Sequence, residues 1–578
     1  MTSLSEKIKK CVLGAALAIL KKKIVANDLV LEFPENETFG DYSTNFALHS
    51  WPESGFKNPS EFAAALAIKL RKDNDLAKIV SKIEVAGPGF INFWLKKEIL
   101  IENLGEILKR KEKYGVSQIN KDKTAIVEYS SPNIAKPFTI GHLRSTIIGD
   151  AIANLLQATG WKVYRDNHLG DWGTQFGKMI YAIKTWGDEE EIAKSENPVK
   201  DLVALYVKFH EQAEKNPSLE DEARKWFKKL EDGDGEAKRL WQKCVDWSWL
   251  IFDKIYSKLG VVFSRDFEGG RGLGESFFEN RMKAVIDELE EKKLLQVGKE
   301  GAKLVFFEKD KYPPAMILKK DGATLYHTRD LATDKYRLEK YNPDLIINEV
   351  GAEQTLYFRQ LFEMEKLLGW YKDGQRVHVG HGLIRFKEGK MSTRKGNVVW
   401  MEEVLQEAQK RAVELGSNDT KLAETVSVDA LKYNDLKRDP KTEIVFDWDE
   451  IINMKGNSGP YLQYTHARCQ GVLEKAKMNG QKTGFDKKEF LTPESGELSI
   501  LRWLTKFPDI VVQAAEQYAP NLICNYLFNL AQKFNFFYSR GRIIGSEKES
   551  SRLALTQAVA QVLKNGLDLL GIKAPEKM

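Results

Sequence analysis

Between residues 125 and 164 the hydrophobic pattern changes period twice. A continuous apolar run at 125–129 reads as a buried strand. After a loop with Pro, Asn and Gly, apolar residues return at helical spacing: Leu143, Ile147, Ala151 and Leu155. That helix is expected to end near Gly160, and residues 161–164 read as a second strand. Strand, loop, helix and strand in this order form the first half of a nucleotide-binding α/β unit.

The flanking patterns differ. Residues 61–70 read as a helix and 89–95 as a strand, in an N-terminal α+β region closed by a basic, weakly patterned linker at 109–123. From about 184 to 300 the chain becomes charged and helical, with Asp232-Gly233-Asp234-Gly235 as a turn, and reads as an insertion. Strand-like runs resume at 304–307, 345–348 and 377–384. Beyond Trp400 the pattern is almost wholly helical, with Leu555, Val559, Val562 and Leu570 marking one apolar face. The expected domains are therefore 1–112, an α/β domain over 120–400 with its insertion, and a helical domain over 401–578. No internal repeat or low-complexity segment interrupts them.

Composition narrows the class. A chain of 578 residues needs several cores. Its net charge of +5, from 88 basic and 83 acidic residues, permits a polyanionic partner without demanding one. Cys11, Cys244, Cys469 and Cys524 lack metal-ligand spacing and suit a reducing compartment. Lysines 7, 9 and 10 before the apolar run 11–20 imitate a secretory signal. Three more lysines follow at 21–23 without a small-residue cleavage site, so an amphipathic first helix in a cytoplasmic protein is expected. No apolar run is long enough to span a bilayer.

Two short segments carry the chemistry: PFTIGH at 137–142, where the long helix begins, and KMST at 390–393, in a basic loop at 387–396. Together they resemble the paired signatures of class I aminoacyl-tRNA synthetases, which hold ATP between them. On that reading Gly141 leaves room for adenine, and His142 offers a donor at a helix N-terminus, where anions are favoured. Lys390, with Met391 and Ser392, faces the leaving pyrophosphate, where a lysine point charge stabilises developing negative charge. Two positions depart from the family pattern. Thr139 replaces a histidine, keeping a hydroxyl but no possible positive charge, so weaker transition-state stabilisation is expected there. Thr393 replaces the second lysine, and Lys136 is the expected substitute.

Longer blocks narrow the resemblance to arginyl-tRNA synthetases. These are EYSSPNIAKPFTIGH (128–142), RDNHLGDWGTQFG (165–177), LYHTRDLA (325–332), GNSGPYLQYTHAR (456–468) and VLKNGLDLLGIKAPEKM (562–578). The resemblance implies a Rossmann-type catalytic domain, an additional N-terminal domain on the outer corner of tRNA, and an all-helical anticodon-binding domain. It implies ATP with Mg²⁺, L-arginine and tRNA(Arg) as the interacting species, a monomer, and arginine activation only with tRNA bound. Tyr326 and Asp330, four apart on one helix face, are expected to hold the guanidinium. Glu128 and Asn133 are expected at the substrate's α-amino and carboxylate groups, and Gln354 adds a polar contact. His168 could line the same pocket or be structural. Tyr461, Tyr464 and Tyr538 are the expected anticodon-stacking residues, with Phe534 and Phe537 as core. Phe90 and Asn92 are the candidates for tRNA contact in the N-terminal domain.

Two other readings share these residues. One is a nucleotidyltransferase that forms adenylates of a small acid without tRNA, against which the helical domain and its paired tyrosines argue. The other is a non-catalytic RNA-binding relative, suggested by Thr139 and Thr393. The glycine-rich EGGRGLGES (268–276) lacks phosphate-loop spacing and reads as a turn.

Overall fold

The computed structural model describes residues 3–20, 29–298, 300–386, 399–414, 419–480, 490 and 493–578. Lys390, Met391 and Ser392 lie outside them, as do the neighbouring Arg394 and Lys395.

The N-terminal domain packs helices Leu4–Leu20 and Pro59–Leu70 around a three-stranded antiparallel sheet. Its strands are β1 (Tyr42–Thr44), β2 (Val80–Ala86) and β3 (Phe90–Leu95), in the order β1-β3-β2. Leu4–Leu20 buries Ile8, Val12, Ala15 and Ala16, as an amphipathic helix should.

The central domain carries a four-stranded parallel sheet. Strands β4 (Thr124–Glu128) and β5 (Lys162–Asp166) are joined by the helix Ile140–Ala158. The chain then leaves the sheet. It passes through helices Pro198–Lys215, Ser218–Glu231 and Gly235–Leu259, and then a small antiparallel sheet of β6 (Leu295–Val297), β7 (Lys303–Val305) and β8 (Ala315–Leu318). It returns as β9 (Leu345–Gly351) and β10 (Arg376–His381), giving the order β10-β9-β4-β5. One expectation is corrected here. The run at 304–307 does not resume the parallel sheet, because its partners are β6 and β8. A strand's apolar pattern does not say which sheet it joins.

In this order β5 lies on one side of β4, and β9 on the other. The winding direction therefore reverses between β4 and β9, the switch point where open α/β sheets leave a crevice beyond their carboxyl ends. Helix Ile140–Ala158 approaches β4 closely at Gly149, where a Cβ would come within 2.2 Å of Tyr129. Beyond β10 the chain forms β11 (Ile384–Phe386), which pairs in parallel with β12 (Ile444–Phe446).

Among the described residues, the remaining chain is helical apart from β12 and short connections. Its main helices are Met401–Glu414, Thr420–Leu436, Gly459–Met478, Ser495–Glu516, Asn521–Arg540 and Glu549–Leu569. Leu555, Val559, Val562 and Leu570 are buried as expected. Among the described residues, no helix is long and apolar enough to cross a membrane.

Candidate functional site

The crevice is built first by a strained loop. After β4 the chain must turn sharply into the helix Ile140–Ala158, and Ser130 and Ala135 adopt left-handed φ values of 58° and 59°. For side-chain-bearing residues such conformations cost on the order of 1–3 kcal/mol each and persist only when neighbours hold them. Here they are held. Ser130 N–H donates to Ser145 Oγ at 3.0 Å, and Ala135 N–H donates to Ser248 Oγ at 2.9 Å. Ser130 Oγ also lies 2.9 Å from the Tyr256 hydroxyl. Ser248 and Tyr256 belong to helix Gly235–Leu259, so the charged insertion, which carried no readable motif, buttresses the loop.

Thr139 then caps the helix with extended backbone. Its N–H donates to His142 Nδ1 at 2.9 Å, and its hydroxyl lies 3.1 Å from the same atom. This fixes the ring chemically. Nδ1 must be the acceptor, so in the neutral ring Nε2 carries the proton. Burial, then the neighbouring His381 and Lys136, lower the His142 pKa to about 4. At neutral pH His142 is thus an uncharged Nε2–H donor at a helix N-terminus, suited to a phosphate or sugar oxygen. A Cβ on Gly141 would meet only Thr139 Oγ1, at 3.5 Å, an ordinary contact. The fold itself does not require glycine there, and the reason for it lies in what approaches the helix end. Lys136 is exposed beside this turn. Trp400 forms an antiparallel bridge with Thr139, beside the signature.

The acidic half of the crevice centres on helix Tyr326–Tyr341. Tyr326, Asp330, Asp334 and Arg337 recur every three or four residues on one face. Tyr326 is 65% exposed at the helix start, its ring centre 6.0 Å from that of Tyr357. Asp330 Oδ2 accepts the Tyr357 hydroxyl, and Asp330 Oδ1 lies 3.8 Å from His168 Nε2. Burial pushes the Asp330 carboxyl up, with His168 and Tyr357 opposing. Among the described residues, no lysine or arginine forms an ion pair with Asp330. The neighbouring Arg329 pairs instead with Glu275 and Glu279.

Behind Asp330 lies a buried ion network. Arg337 meets Glu128 at 2.5 Å, Asp166 at 2.8 Å and Asp334 at 3.1 Å. Arg376 meets Asp334 at 2.5 Å and Glu365 at 2.7 Å. Four carboxyl groups, those of Glu128, Asp166, Asp334 and Glu365, thus share two guanidiniums, and Asp330 stands in front of them with neither. The expected role of Glu128 therefore has a competing internal use. Burial opposes its charge, but Arg337 and then His168 more than compensate, holding its pKa below the usual glutamate value. His168 is raised: burial works against it, and Glu128 and Asp330 prevail. Asn133 sits half-buried in a backbone bridge with Gly170. Gln354 is exposed just beyond the carboxyl end of β9. The sequence reading missed Tyr357, Arg337 and Arg376.

The helical domain sorts the aromatic candidates. Tyr464 and Tyr538 are 40% and 41% exposed, and the Arg468 guanidinium lies over both rings, at 4.8 and 5.1 Å. Tyr461 is half-buried, and its hydroxyl accepts from Asn535 at 3.0 Å, so it is tied into the helix packing. Phe534 and Phe537 are core.

In the N-terminal domain Asn92 is a correction. It is 3% exposed, and its Oδ1 accepts the Ser43 hydroxyl at 2.7 Å, so the residue that the family resemblance offered for tRNA contact serves as an internal strut. Phe90 remains half-buried. Nearby is an open cleft of about 750 Å³, lined by Lys78, Lys82, Trp94, Lys96, Lys97 and Arg502 among others. Its charge comes from residues too scattered along the chain to have stood out.

Three family models match the chain: tRNA synthetases class I (R), catalytic domain, over 103–448; DALR anticodon binding domain, over 462–578; and arginyl tRNA synthetase N terminal domain, over 2–95. An arginine–tRNA ligase of Clostridioides difficile is 40% identical over 583 residues, covering 99% of each chain. One from Enterococcus faecalis is 41% identical over 582 residues, covering 99% of this chain and 100% of its own. The solved arginyl-tRNA synthetase of Plasmodium falciparum superposes with a TM-score of 0.84 at 25% identity, and that of Thermus thermophilus with 0.82 at 23%. In both cases all of both chains is covered.

Proposed function

The chain belongs to the arginyl-tRNA synthetase family, and from that premise we propose how its residues divide the ATP-dependent attachment of L-arginine to tRNA(Arg). The observation that carries the assignment is the meeting of two unlike half-sites at one switch point. One is a neutral donor, His142, at a helix start. The other is an acid-rich wall with Asp330 at its front.

The substrate carboxylate attacks the α-phosphate of ATP in line, giving arginyl-adenylate and pyrophosphate. The terminal ribose hydroxyl of tRNA then takes the arginyl group. His142 Nε2–H and the helix N-terminus bind ATP oxygens over Gly141, with Thr139 as cap. Lys136 and Lys390 neutralise the leaving pyrophosphate, with Met391 and Ser392 beside ATP. The donors described are N–H groups, which suit phosphate and not a cation. Mg²⁺ would therefore be carried by the phosphates and water. Asp330 and Tyr326 hold the guanidinium, with Tyr357 orienting Asp330. Asn133, Gln354 and the outer edge of Glu128 serve the amino-acid end. The chain acts as a monomer in the cytoplasm, in keeping with its four free cysteines.

The test is ATP–pyrophosphate exchange with L-arginine, with and without tRNA(Arg), and with lysine and citrulline as controls. Exchange only with arginine plus tRNA is expected. Exchange with citrulline would refute the charge-reading pocket, and exchange without tRNA would refute the dependence on tRNA.

For tRNA, Tyr464 and Tyr538 supply stacking faces, while Tyr461 supports the helix that presents Tyr464. Tyr464→Ala is expected to raise the KM for tRNA by roughly 5- to 150-fold, the equivalent of one stacked base at ~1–3 kcal/mol. The melting temperature should stay unchanged. Unaltered tRNA kinetics would make this tyrosine a packing residue.

The basic cleft beside β3 is assigned to the tRNA backbone, with Phe90 at its margin. The double variant Lys96→Ala/Lys97→Ala should flatten the slope of log affinity against log salt by about 1.5, near the value for two lost phosphate contacts. An unchanged slope would remove the cleft from the tRNA footprint.

A further inference from the structure

One titratable pair beside the signature has no part in the mechanism above. His381 is the last residue of β10, in register with Gly351 at the end of β9, and so stands at the rim of the crevice. Its Nδ1 lies 2.8 Å from Oε1 of Glu349, whose side chain is fully buried. A carboxylate can only accept, so Nδ1 carries the proton and the ring's orientation is fixed. Nε2 has no partner among the described residues.

The pair is locked to the signature helix. Ser145 Oγ donates to the Glu349 carbonyl at 3.0 Å, and the Arg144 guanidinium donates to the carbonyl of Gly382, the residue after His381, at 2.8 Å. His142 is close enough for His381 to disfavour a charge on it.

We propose that His381 is a further ATP-contacting residue, oriented by Glu349, whose Nε2–H binds the phosphate chain and supplies the imidazole contact that Thr139 cannot. The inference rests on the ATP reading above. The electrostatics agree with it. Burial disfavours charge on His381, but Glu349 more than reverses this, with Asp435 assisting and Arg144 opposing, so its pKa is raised. The two histidines then have different roles. His142 is a neutral donor with a fixed tautomer, and His381 is the ring that can carry a proton on both nitrogens. Glu349 is a positioning residue, out of reach of the nucleotide.

The test is a double-mutant cycle between positions 381 and 139, read in arginine- and tRNA-dependent ATP–pyrophosphate exchange. His381→Phe should lower kcat/KM for ATP by roughly 10- to 100-fold, the range for a lost hydrogen bond to a charged group. Its KM for arginine and its tRNA affinity should not change. His381→Gln, which keeps a neutral donor, should recover part of the loss. Glu349→Gln should reproduce a fraction of it, with the acid limb of the ATP profile moved to lower pH. In a Thr139→His background the cost of His381→Phe should shrink to less than about 3-fold, because the two imidazoles substitute for each other.

Equal losses in both backgrounds would overturn the proposal, and so would unchanged ATP kinetics in a folded His381→Phe protein. Were His381→Phe to misfold, His381→Gln would carry the same cycle. Absence of exchange in the unmodified protein would overturn the functional reading first, and this inference with it.

Discussion

Asp330→Ala is expected to abolish useful arginine recognition while leaving ATP binding intact. The carboxyl is drawn toward neutrality by burial, with only His168 and Tyr357 in opposition, and among the described residues it has no basic ion-pair partner. A guanidinium is always charged, so its arrival favours the ionised carboxyl and forms a charge-assisted pair. Truncating one member of such a pair costs about 2–5 kcal/mol, or roughly 30- to several-thousand-fold in KM for arginine. Asp330→Asn, which keeps shape and removes charge, should fall in the same range.

The pH dependence has a definite sign. The folded pKa of Asp330 is raised, so on acidification its carboxylate is lost at a higher pH than an ordinary aspartate's. The kcat/KM for arginine should therefore fall as pH drops, while the ATP KM follows a different profile. Exchange assays across pH with arginine varied at saturating ATP provide the measurement. An arginine KM near that of the unmodified protein in Asp330→Ala would remove the residue from the pocket.

The parts of this site that could be read from the chain are those built by local geometry. PFTIGH stands where a strand pattern gives way to a helical one, so its position at a helix start follows from period alone. Tyr326 and Asp330 are one turn apart, and their shared face follows from helix geometry. Contacts between distant segments could not be read this way. Tyr357 looks like any core aromatic in helix Thr355–Leu367, and only folding brings its hydroxyl to Asp330. Arg337 occupies a stretch with abundant charge, where a solvated face was the ordinary expectation. The run at 304–307 only overlaps a strand, Lys303–Val305, and that strand joined another sheet, because its hydrogen-bond partners are chosen by topology. Asn92 shares its face of β3 with the half-buried Phe90 and Trp94, yet its own side chain is taken up by Ser43 on the neighbouring strand, a pairing that only the fold sets.

The same long-range contacts set the stability of the catalytic core, and Arg337→Met should reveal them. Methionine fills a similar volume, so the main change is electrostatic. Arg337 is buried among Glu128, Asp166 and Asp334, and removing one partner from such a network typically costs about 3–5 kcal/mol, since the remaining charges stay buried without compensation. In a chain of several domains the loss should appear in the catalytic domain's own unfolding transition.

Its pH dependence separates charge from packing. In the intact protein Arg337 opposes the effect of burial on Glu128 and on Asp166. Without it, the folded pKa of Glu128, held low by Arg337, is released upward by burial, and that of Asp166, already raised, rises further. Groups raised in this way contribute stability below the unfolded pKa and lose it as pH climbs through the folded pKa. The deficit of Arg337→Met relative to the unmodified protein should therefore be smaller at pH 5 than at pH 8. Equal deficits at both would identify lost packing as the cause. The expected result would also explain how the pocket attracts its substrate. The two internal guanidiniums are engaged by the carboxyls behind Asp330, which leaves Asp330 without a basic ion-pair partner among the described residues, and the proposed occupant of that place is the substrate's guanidinium.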